Sequence, residues 1–534
     1  MVTNWNTLIT SGAYIGEEMQ AEFGRIAPAF LPIGASYLIQ HQLSEAKGRD
    51  KIWLSLPHDY KMTTSQHRLL DDRGVHIFRA DAHKSLGMSV FQAILEIGQD
   101  NPLEIIHGDT LVVNPAIPET DTVSVSKATE QYKWGLVEAA DGRVQRVQDA
   151  DSSDSISSDA SILSGYFAIC EPWRLLKCLV ARDFSFTDAL DSYAGEIGIL
   201  INDDLETLDC GHLKTYYDSR RRLASARHFN SIEIENGIVV KRSSDQIKIN
   251  AEANWLRTVP SDLQPFTARL IEDPSTRASG QYCTLYSSYP TLAELYLART
   301  PEVVWSKILN SCKDYLGKAS SHSVRERNSD FLWLVIGKLN ERVAQYPNFL
   351  PKPDCPLTIN GESVGTLSQI VEKLTEIVNN APKRSSCVMH GDFCFSNILY
   401  DFRNDRIKLI DPRGLIADEM TVYGDIRYDI AKLGHSILGR YDQIIGERFL
   451  TGGSVADLIL NIPTDPLRDW LEQSFLCSKV AGQTFDTPEI KAAIVSLFLS
   501  MVPLHGEDPI RQRALFANGL RVYGKFFMTS KKNT

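Results

Sequence analysis

The chain has no two cysteines spaced as C-x-x-C and no cysteine-dense segment. Its odd total of nine (Cys170, Cys178, Cys210, Cys283, Cys312, Cys355, Cys387, Cys394 and Cys477) is scattered over 534 residues. That pattern excludes a disulfide framework and a cysteine-rich zinc site, and it points to a reducing, cytoplasmic compartment. The N-terminus, MVTNWNTLITSGAYIG, lacks a basic segment followed by an apolar one, so no secretory signal is read there. Long hydrophobic runs are missing too. The longest apolar stretch, Ala492 to Leu504, falls short of the about 20 residues a membrane helix needs. It is also broken by Ser496, Ser500 and Pro503, so it predicts a buried helix and no membrane span. Basic residues are outnumbered, 56 against 67 acidic, for a net charge of -11. The chain as a whole therefore has no electrostatic attraction for nucleic acid or anionic lipid.

What is present is the composition of an ordinary globular protein, 43% hydrophobic and 23% charged, long enough for several domains. From residue 5 to about 220, strand-like runs (WNTLIT, KIWLSL, VHIFRA, LEIIHGDT, SGYFAIC) alternate with helical stretches such as SLGMSVFQAILEIG. That alternation predicts an α/β sheet. The Ser/Asp-rich piece DADSSDSISSDAS reads as a solvated loop. At YYDSRRRLASARHFN a basic turn leads into new strands, which places a boundary between domains 1–222 and 223–534. Beyond it, SIEIENG and GIVVKRS predict a hairpin about Asn236-Gly237. A helix near Asn250 to Leu256 and a strand at YCTLYSS follow, and after Thr291 the pattern is almost wholly helical as far as SCVMHGDF. The second domain is thus expected to be a small sheet lobe followed by a large helical lobe.

The segment from Val388 to Gly414, VMHGDFCFSNILYDFRNDRIKLIDPRG, reads strand, loop, strand, turn, strand. His390-Gly391-Asp392 is followed by Asn397 five positions after the aspartate, and Asp411 ends the apolar strand IKLI. A phosphoryl-transfer site needs these types in this order. A carboxylate takes the proton of the attacking hydroxyl, and a carboxamide and a second carboxylate hold magnesium against the phosphates. The segment resembles the H-G-D-x-x-x-x-N loop and apolar-apolar-Asp strand of the aminoglycoside phosphotransferase and choline kinase superfamily, over roughly residues 223 to 534. The resemblance implies a bilobal, protein-kinase-like fold that uses ATP and Mg²⁺. It makes Asp392 the catalytic base, Asn397 and Asp411 the magnesium ligands, and His390 a brace of the loop. Asp429, in YDIAKL, would either secure that loop or cap its own helix. Pro412-Arg413-Gly414 departs from the family pattern, and Arg413 reads equally as a contact for an anionic substrate or as a surface arginine. Lys241 on a strand and Glu252 on the next helix stand in the order of the lysine and glutamate that hold nucleotide phosphates. No G-x-G-x-x-G precedes Lys241; SARHFNS occupies that place. The absence of D-F-G and A-P-E argues against a protein kinase.

In the first domain, APAFLPIGASYLIQHQL (Ala27 to Leu43), EIIHGDT, SGYFAI and LDCGH resemble segments of the sugar nucleotidyltransferases. The resemblance implies a Rossmann-like sheet in which Asp109 and Asp209 hold Mg²⁺ on a second nucleoside triphosphate, CTP, UTP or GTP. The departures are the acidic Glu17-Glu18 in the glycine-containing loop, Ala29 where the family has lysine, and a missing Glu-Lys-Pro. Arg25 or Lys84 would have to supply the cation. The combination implies a small-molecule kinase fused to an enzyme that activates its product, as in bacterial capsule or surface-polysaccharide precursor synthesis. The alternative is a kinase joined to an inactive sugar-nucleotide sensor or scaffold. Partners on either reading are a small-molecule substrate and nucleotides; no oligomeric state is implied.

Overall fold

The computed structural model describes residues 5–46, 48–127, 135–150, 160–225, 231–271, 280–324 and 329–528. Most of DADSSDSISSDAS and of SARHFNS lies outside the described residues. The chain divides into two compact units, Met1–Arg220 and Arg221–Thr534, and none of the nine cysteines is in a disulfide.

In the first unit the alternating pattern produces a nine-stranded sheet. Asn6–Thr10, Lys51–Pro57, His76–Ala80 and Leu103–His107 run parallel in the spatial order third, second, first, fourth. Ser161–Ile169 then joins Leu103–His107 antiparallel. Successive side chains on a strand face opposite ways, and here both faces are covered. Leu8 packs with Ile105 and Phe167 against the helices Leu86–Ile97, Pro172–Ala181 and Phe186–Ile197. Its neighbour Ile9 packs with Leu54 and Leu56 against Phe30, Ile39 and Leu43. Burial on both faces explains why these strands read as nearly continuous apolar runs. The order reverses between Asn6–Thr10 and Leu103–His107, and such a switch point opens a crevice at the carboxyl ends of the strands.

A buried ion pair lies against this sheet. Glu104 is fully buried, and its carboxylate takes two bonds from Arg49, at 3.0 and 2.9 Å, one from Tyr166 at 2.8 Å and one from Thr7 at 2.9 Å. With four donors the carboxylate is satisfied, and removing one partner would leave an uncompensated buried group.

The expected basic turn near residue 220 is instead the helix Leu213–Ser225. Tyr216 is buried against Phe23 and donates to the Pro32 carbonyl, and Tyr217 donates to Glu22. Two adjacent tyrosines anchor this helix to the first unit, which the run of arginines conceals in the sequence.

The second unit opens with Ser231–Glu235 and Ile238–Arg242, joined through Asn236 and Gly237 at φ 50° and 76°. Both positive φ values are what a tight hairpin turn requires. Gln281–Leu285 and Leu270–Ile271 complete a four-stranded antiparallel sheet, spanned by the helix Gln246–Thr258. The following part is less helical than expected. A second four-stranded sheet is built from Leu357–Ile359, Glu362–Gly365, Leu450–Gly453 and Asp457–Asn461. Its first hairpin turns on Asn360-Gly361, a two-residue turn signal present in LTINGESVG. The longest apolar stretch forms the helix Pro488–Met501, packed against Ile426–Ile437 and Pro509–Tyr523. By length and composition Pro488–His505 could cross a membrane, but 61% of it is buried inside the protein.

Each unit has its own buried core. Residues 1–225 and 226–534, produced separately, are therefore expected to unfold each in one cooperative transition. A fragment that stays unfolded by circular dichroism would show that the two units depend on one another for stability.

Candidate functional site

The strand Ser386–Val388 delivers His390-Gly391-Asp392 into a loop whose backbone is held by the side chains of Asp429 and Arg413. Asp429, 0% exposed on the helix Ile426–Ile437, accepts the His390 N–H at Oδ2 and the Gly391 N–H at Oδ1, both at 2.7 Å. Burial pushes its carboxyl up to about 7, against the pull of those two donors. The cap of this helix is Asp425, so Asp429 is free for the loop. Gly391 has φ 79°, and a Cβ there would meet the Arg413 Cβ at 2.6 Å. Arg413 returns to brace the same loop, donating from Nε to the Gly391 carbonyl at 3.1 Å and from its backbone N–H to His390 at 2.8 Å. His390 is fully buried and receives the Asp392 N–H on Nδ1 at 3.3 Å.

Asp392 is held at both oxygens. Asn397 donates from Nδ2 to Oδ2 at 2.9 Å, and Lys432 pairs with Oδ1 at 2.7 Å. Burial raises the Asp392 carboxyl, but Lys432, His390 and Asn397 outweigh it and hold the group below the usual carboxylate range. The Asn397 amide nitrogen faces Asp392, and its Oδ1, a hard-oxygen donor, accepts from the Ser396 hydroxyl at 3.5 Å. Lys432 escaped the sequence reading although it stands in the same YDIAKL segment as Asp429. The signal was the i, i+3 spacing, which puts both side chains on one helix face.

A second cluster joins the first through the hairpin Ile398–Asp401/Arg406–Leu409 and the bond from Ile410 N–H to the Asn397 carbonyl at 3.0 Å. Lys241, buried on its strand, lies 2.7 Å from Glu252 and 2.9 Å from Asp411. Tyr282, paired with Lys241 across the strands, donates to the same Glu252 oxygen at 3.0 Å. Burial would lower the Lys241 ammonium, but Asp411 and Glu252 outweigh it and keep it above its ordinary value. Asp411 takes a left-handed φ of 55°. Gly414 then passes so close to the helix of Glu252 that a Cβ would lie 2.1 Å from the Ala251 carbonyl. All seven residues singled out in this unit, Lys241, Glu252, His390, Asp392, Asn397, Asp411 and Asp429, thus fall into two linked clusters. Among the described residues no three His, Cys, Asp or Glu side chains converge as a metal site. The Asn397 carbonyl and the Asp411 carboxylate fit Mg²⁺, which takes one or two protein oxygens and completes its shell from phosphate and water.

In the first unit Asp109 follows the strand Leu103–His107 at the switch point, and Asp209 ends the strand Thr207–Asp209, which pairs with Thr110–Val112. The two carboxylates converge on Gly211. A Cβ there would lie 2.6 Å from Asp109 Oδ2 and 3.2 Å from Asp209 Oδ1. Asp209 Oδ2 is buried without a hydrogen bond. Burial, with the charge of Asp209, raises the Asp109 carboxyl. His212 Nδ1 lies 3.7 Å from Asp209 Oδ2. Burial raises the Asp209 carboxyl, but His212, Thr215 and the Gly211 N–H outweigh it and hold the group below its ordinary value. A close carboxylate pair of this kind fits a divalent cation. Of the two cations expected for the phosphates, Lys84 is exposed and Arg25 has a carboxylate partner. Ala29 is buried and donates its N–H to Ser11, while Arg25 stacks 3.6 Å over Tyr14 and pairs with Asp59 at 3.0 Å.

Residues 359–466 match the model of the phosphotransferase enzyme family. That span includes His390, Asp392, Asn397, Asp411, Asp429 and Lys432 and leaves out Lys241 and Glu252. No curated protein matches the chain. Among solved structures, the UTP-bound UGPase from Acinetobacter baumannii is 14% identical over 43% of this chain and 95% of its own, with a TM-score of 0.34. The nucleoside-diphosphate-sugar pyrophosphorylase from Vibrio cholerae RC9 is 12% identical over 40% of this chain and 99% of its own, with a TM-score of 0.33. The inositol-1-phosphate CTP transferase from T. maritima is 12% identical over 42% and 98%, with a TM-score of 0.33.

Burial pushes the His390 imidazole down to about 4 from 6.5. Between those pH values the unfolded chain binds a proton that the folded chain does not. Its contribution is therefore complete above about pH 6.5 and lost as pH falls, by up to about 3 kcal/mol. Urea unfolding from pH 7 to 4.5 is expected to show this loss, and His390→Gln is expected to lower the proton-linked slope by one. An unchanged slope would mean that His390 is protonated in the fold.

Proposed function

We propose that the C-terminal unit is an ATP-dependent, Mg²⁺-dependent kinase acting on a hydroxyl of a small substrate, a sugar, polyol or amino alcohol. The N-terminal unit would be a nucleotidyltransferase that activates the phosphorylated product for capsule or surface-polysaccharide synthesis in the cytoplasm. The observation that carries the kinase reading is the pinned carboxylate of Asp392, joined through Asn397 to the Lys241, Glu252 and Asp411 cluster. Asp392 is 35% exposed by side chain, so one side of the carboxylate is open to an acceptor hydroxyl and its proton. Lys241, oriented by Glu252, is the cation for the nucleotide phosphates. Asn397 and Asp411 would hold Mg²⁺, which when bound neutralises charge on the β- and γ-phosphates. Residues 223–534, bilobal and protein-kinase-like, would form this domain, and residues 1–222 the nucleotidyltransferase.

For the N-terminal unit the convergence of Asp109 and Asp209 at a switch point supports binding of a second nucleoside triphosphate, CTP, UTP or GTP, with Mg²⁺. The buried Ala29 and the pairing of Arg25 with Asp59 favour a second reading, an inactive sugar-nucleotide sensor or scaffold. Phosphates without a cation opposite them bind weakly.

Asp392→Asn is expected to lower ATP-dependent transfer by about 10²- to 10⁴-fold while ATP affinity stays near that of the native chain. Asp411→Ala is expected to weaken ATP binding only when Mg²⁺ is present. Calorimetry with and without Mg²⁺, together with a screen of sugars, polyols and amino alcohols, checks both. Full activity of Asp392→Asn would remove that residue from the reaction.

Pyrophosphate release by the full chain, given the kinase product and CTP, UTP or GTP in turn, separates the two N-terminal readings. Release that disappears in Asp109→Asn and Asp209→Asn supports the transferase. Its absence with every base leaves the sensor or scaffold.

A further inference from the structure

The loop from His390 to Asn397 contains no cation, because His390 is buried and neutral. The positive charge beside Asp392 comes from another element. Lys432 lies one helical turn beyond Asp429, its side chain only 12% exposed, with Nζ 2.7 Å from Asp392 Oδ1. Asn397 holds the other oxygen at 2.9 Å. One helix face therefore does two things to the same loop: Asp429 fixes its backbone and Lys432 fixes the side chain at its tip. Nearby, Cys394 is a buried thiol 3.9 Å from the same Oδ1, and burial and the charge of Asp392 push it up to about 12, so it offers no competing charge.

We propose that Lys432 is a positioning residue for phosphotransfer, holding the Asp392 carboxylate from behind in the orientation that receives the acceptor's proton. The proposal rests on the kinase reading above. In the step it serves, a bond forms between the acceptor oxygen and the γ-phosphorus. The bond from that phosphorus to the β,γ-bridging oxygen breaks, the acceptor's proton passes to Asp392, and ADP leaves with the electron pair of the broken bond. Lys432 exchanges nothing; it fixes where the receiving oxygen sits. A carboxylate free to rotate about its Cα–Cβ bond would spend much of its time out of reach of the acceptor, and misplacement by about 1 Å costs on the order of 100-fold in rate.

The test measures ADP release from Mg²⁺–ATP by the full chain, with water as acceptor and then with glucose, glycerol and choline added, in K432M, D392N and the double variant. K432M is expected to lose about 100-fold in kcat with KM for ATP within about twofold of the native value. The double variant is expected to fall no more than about threefold below D392N alone, because a residue acting through Asp392 has nothing left to act on. K432M retaining kcat within about threefold would overturn the proposal. So would losses that multiply in the double variant, or a KM for ATP that rises in step with the fall in kcat. If K432M folds poorly by thermal melting, K432Q carries the same comparison with a polar chain in the same space. A native chain that releases no ADP overturns the kinase reading and this role together. An active native chain beside an active K432M overturns the role alone.

Discussion

Two consecutive backbone N–H groups, those of His390 and Gly391, end on the two oxygens of one buried carboxylate, Asp429. Everything at the C-terminal site is referred to that contact. A loop of irregular backbone cannot satisfy its own donors, and a buried unsatisfied donor costs about 1–3 kcal/mol. Fixing both donors to a helix sets the height and tilt of the loop. Gly391 can then take its positive φ, Arg413 can close over it, and the Asp392 carboxylate projects to where Asn397 and Lys432 reach it.

The two units treat negative charge differently. In the second, Asp392 has Lys432 and Asp411 has Lys241, each at ion-pair distance and each partly out of water. A buried pair of that kind contributes little to stability, since desolvation offsets the attraction, but it fixes geometry. In the first, Asp109 and Asp209 approach one another, with His212 3.7 Å from an Asp209 oxygen and no lysine or arginine paired with either among the described residues. Like charges so placed repel, which is a cost that a divalent cation between them would remove. Glu104, enclosed in the same unit, has no such conflict, with four donors around it.

Much of this was legible in the chain. Short apolar runs separated by amphipathic stretches marked the parallel strands, because strands buried on both faces cannot alternate with polar residues. Asn236-Gly237 marked its hairpin, because few other pairs tolerate two successive positive φ values. The spacing from Asp392 to Asn397 and on to Asp411 marked positions that loop, turn and strand bring together locally. What was misread had a tertiary cause. The arginines of residues 220–222 looked like a turn, yet Tyr216 and Tyr217 hold the segment as a helix. The hairpin at Asn360-Gly361 finds its sheet partner about a hundred residues later, at Asp457–Asn461.

The sequence alone therefore determined the elements whose cause is local: strand and helix periods, the hairpin turn at Asn236-Gly237, and the order of carboxylate, carboxamide and carboxylate along one short segment. Tertiary structure decided the partners. That Lys432 stands behind Asp392, that Lys241 bridges Glu252 and Asp411, that Glu104 is enclosed by Arg49, Tyr166 and Thr7, and that Asp109 meets Asp209 all depend on segments far apart in the chain. Charge attracts without regard to sequence separation, and an isolated lysine or glutamate carries no local signature of the partner that burial will force upon it.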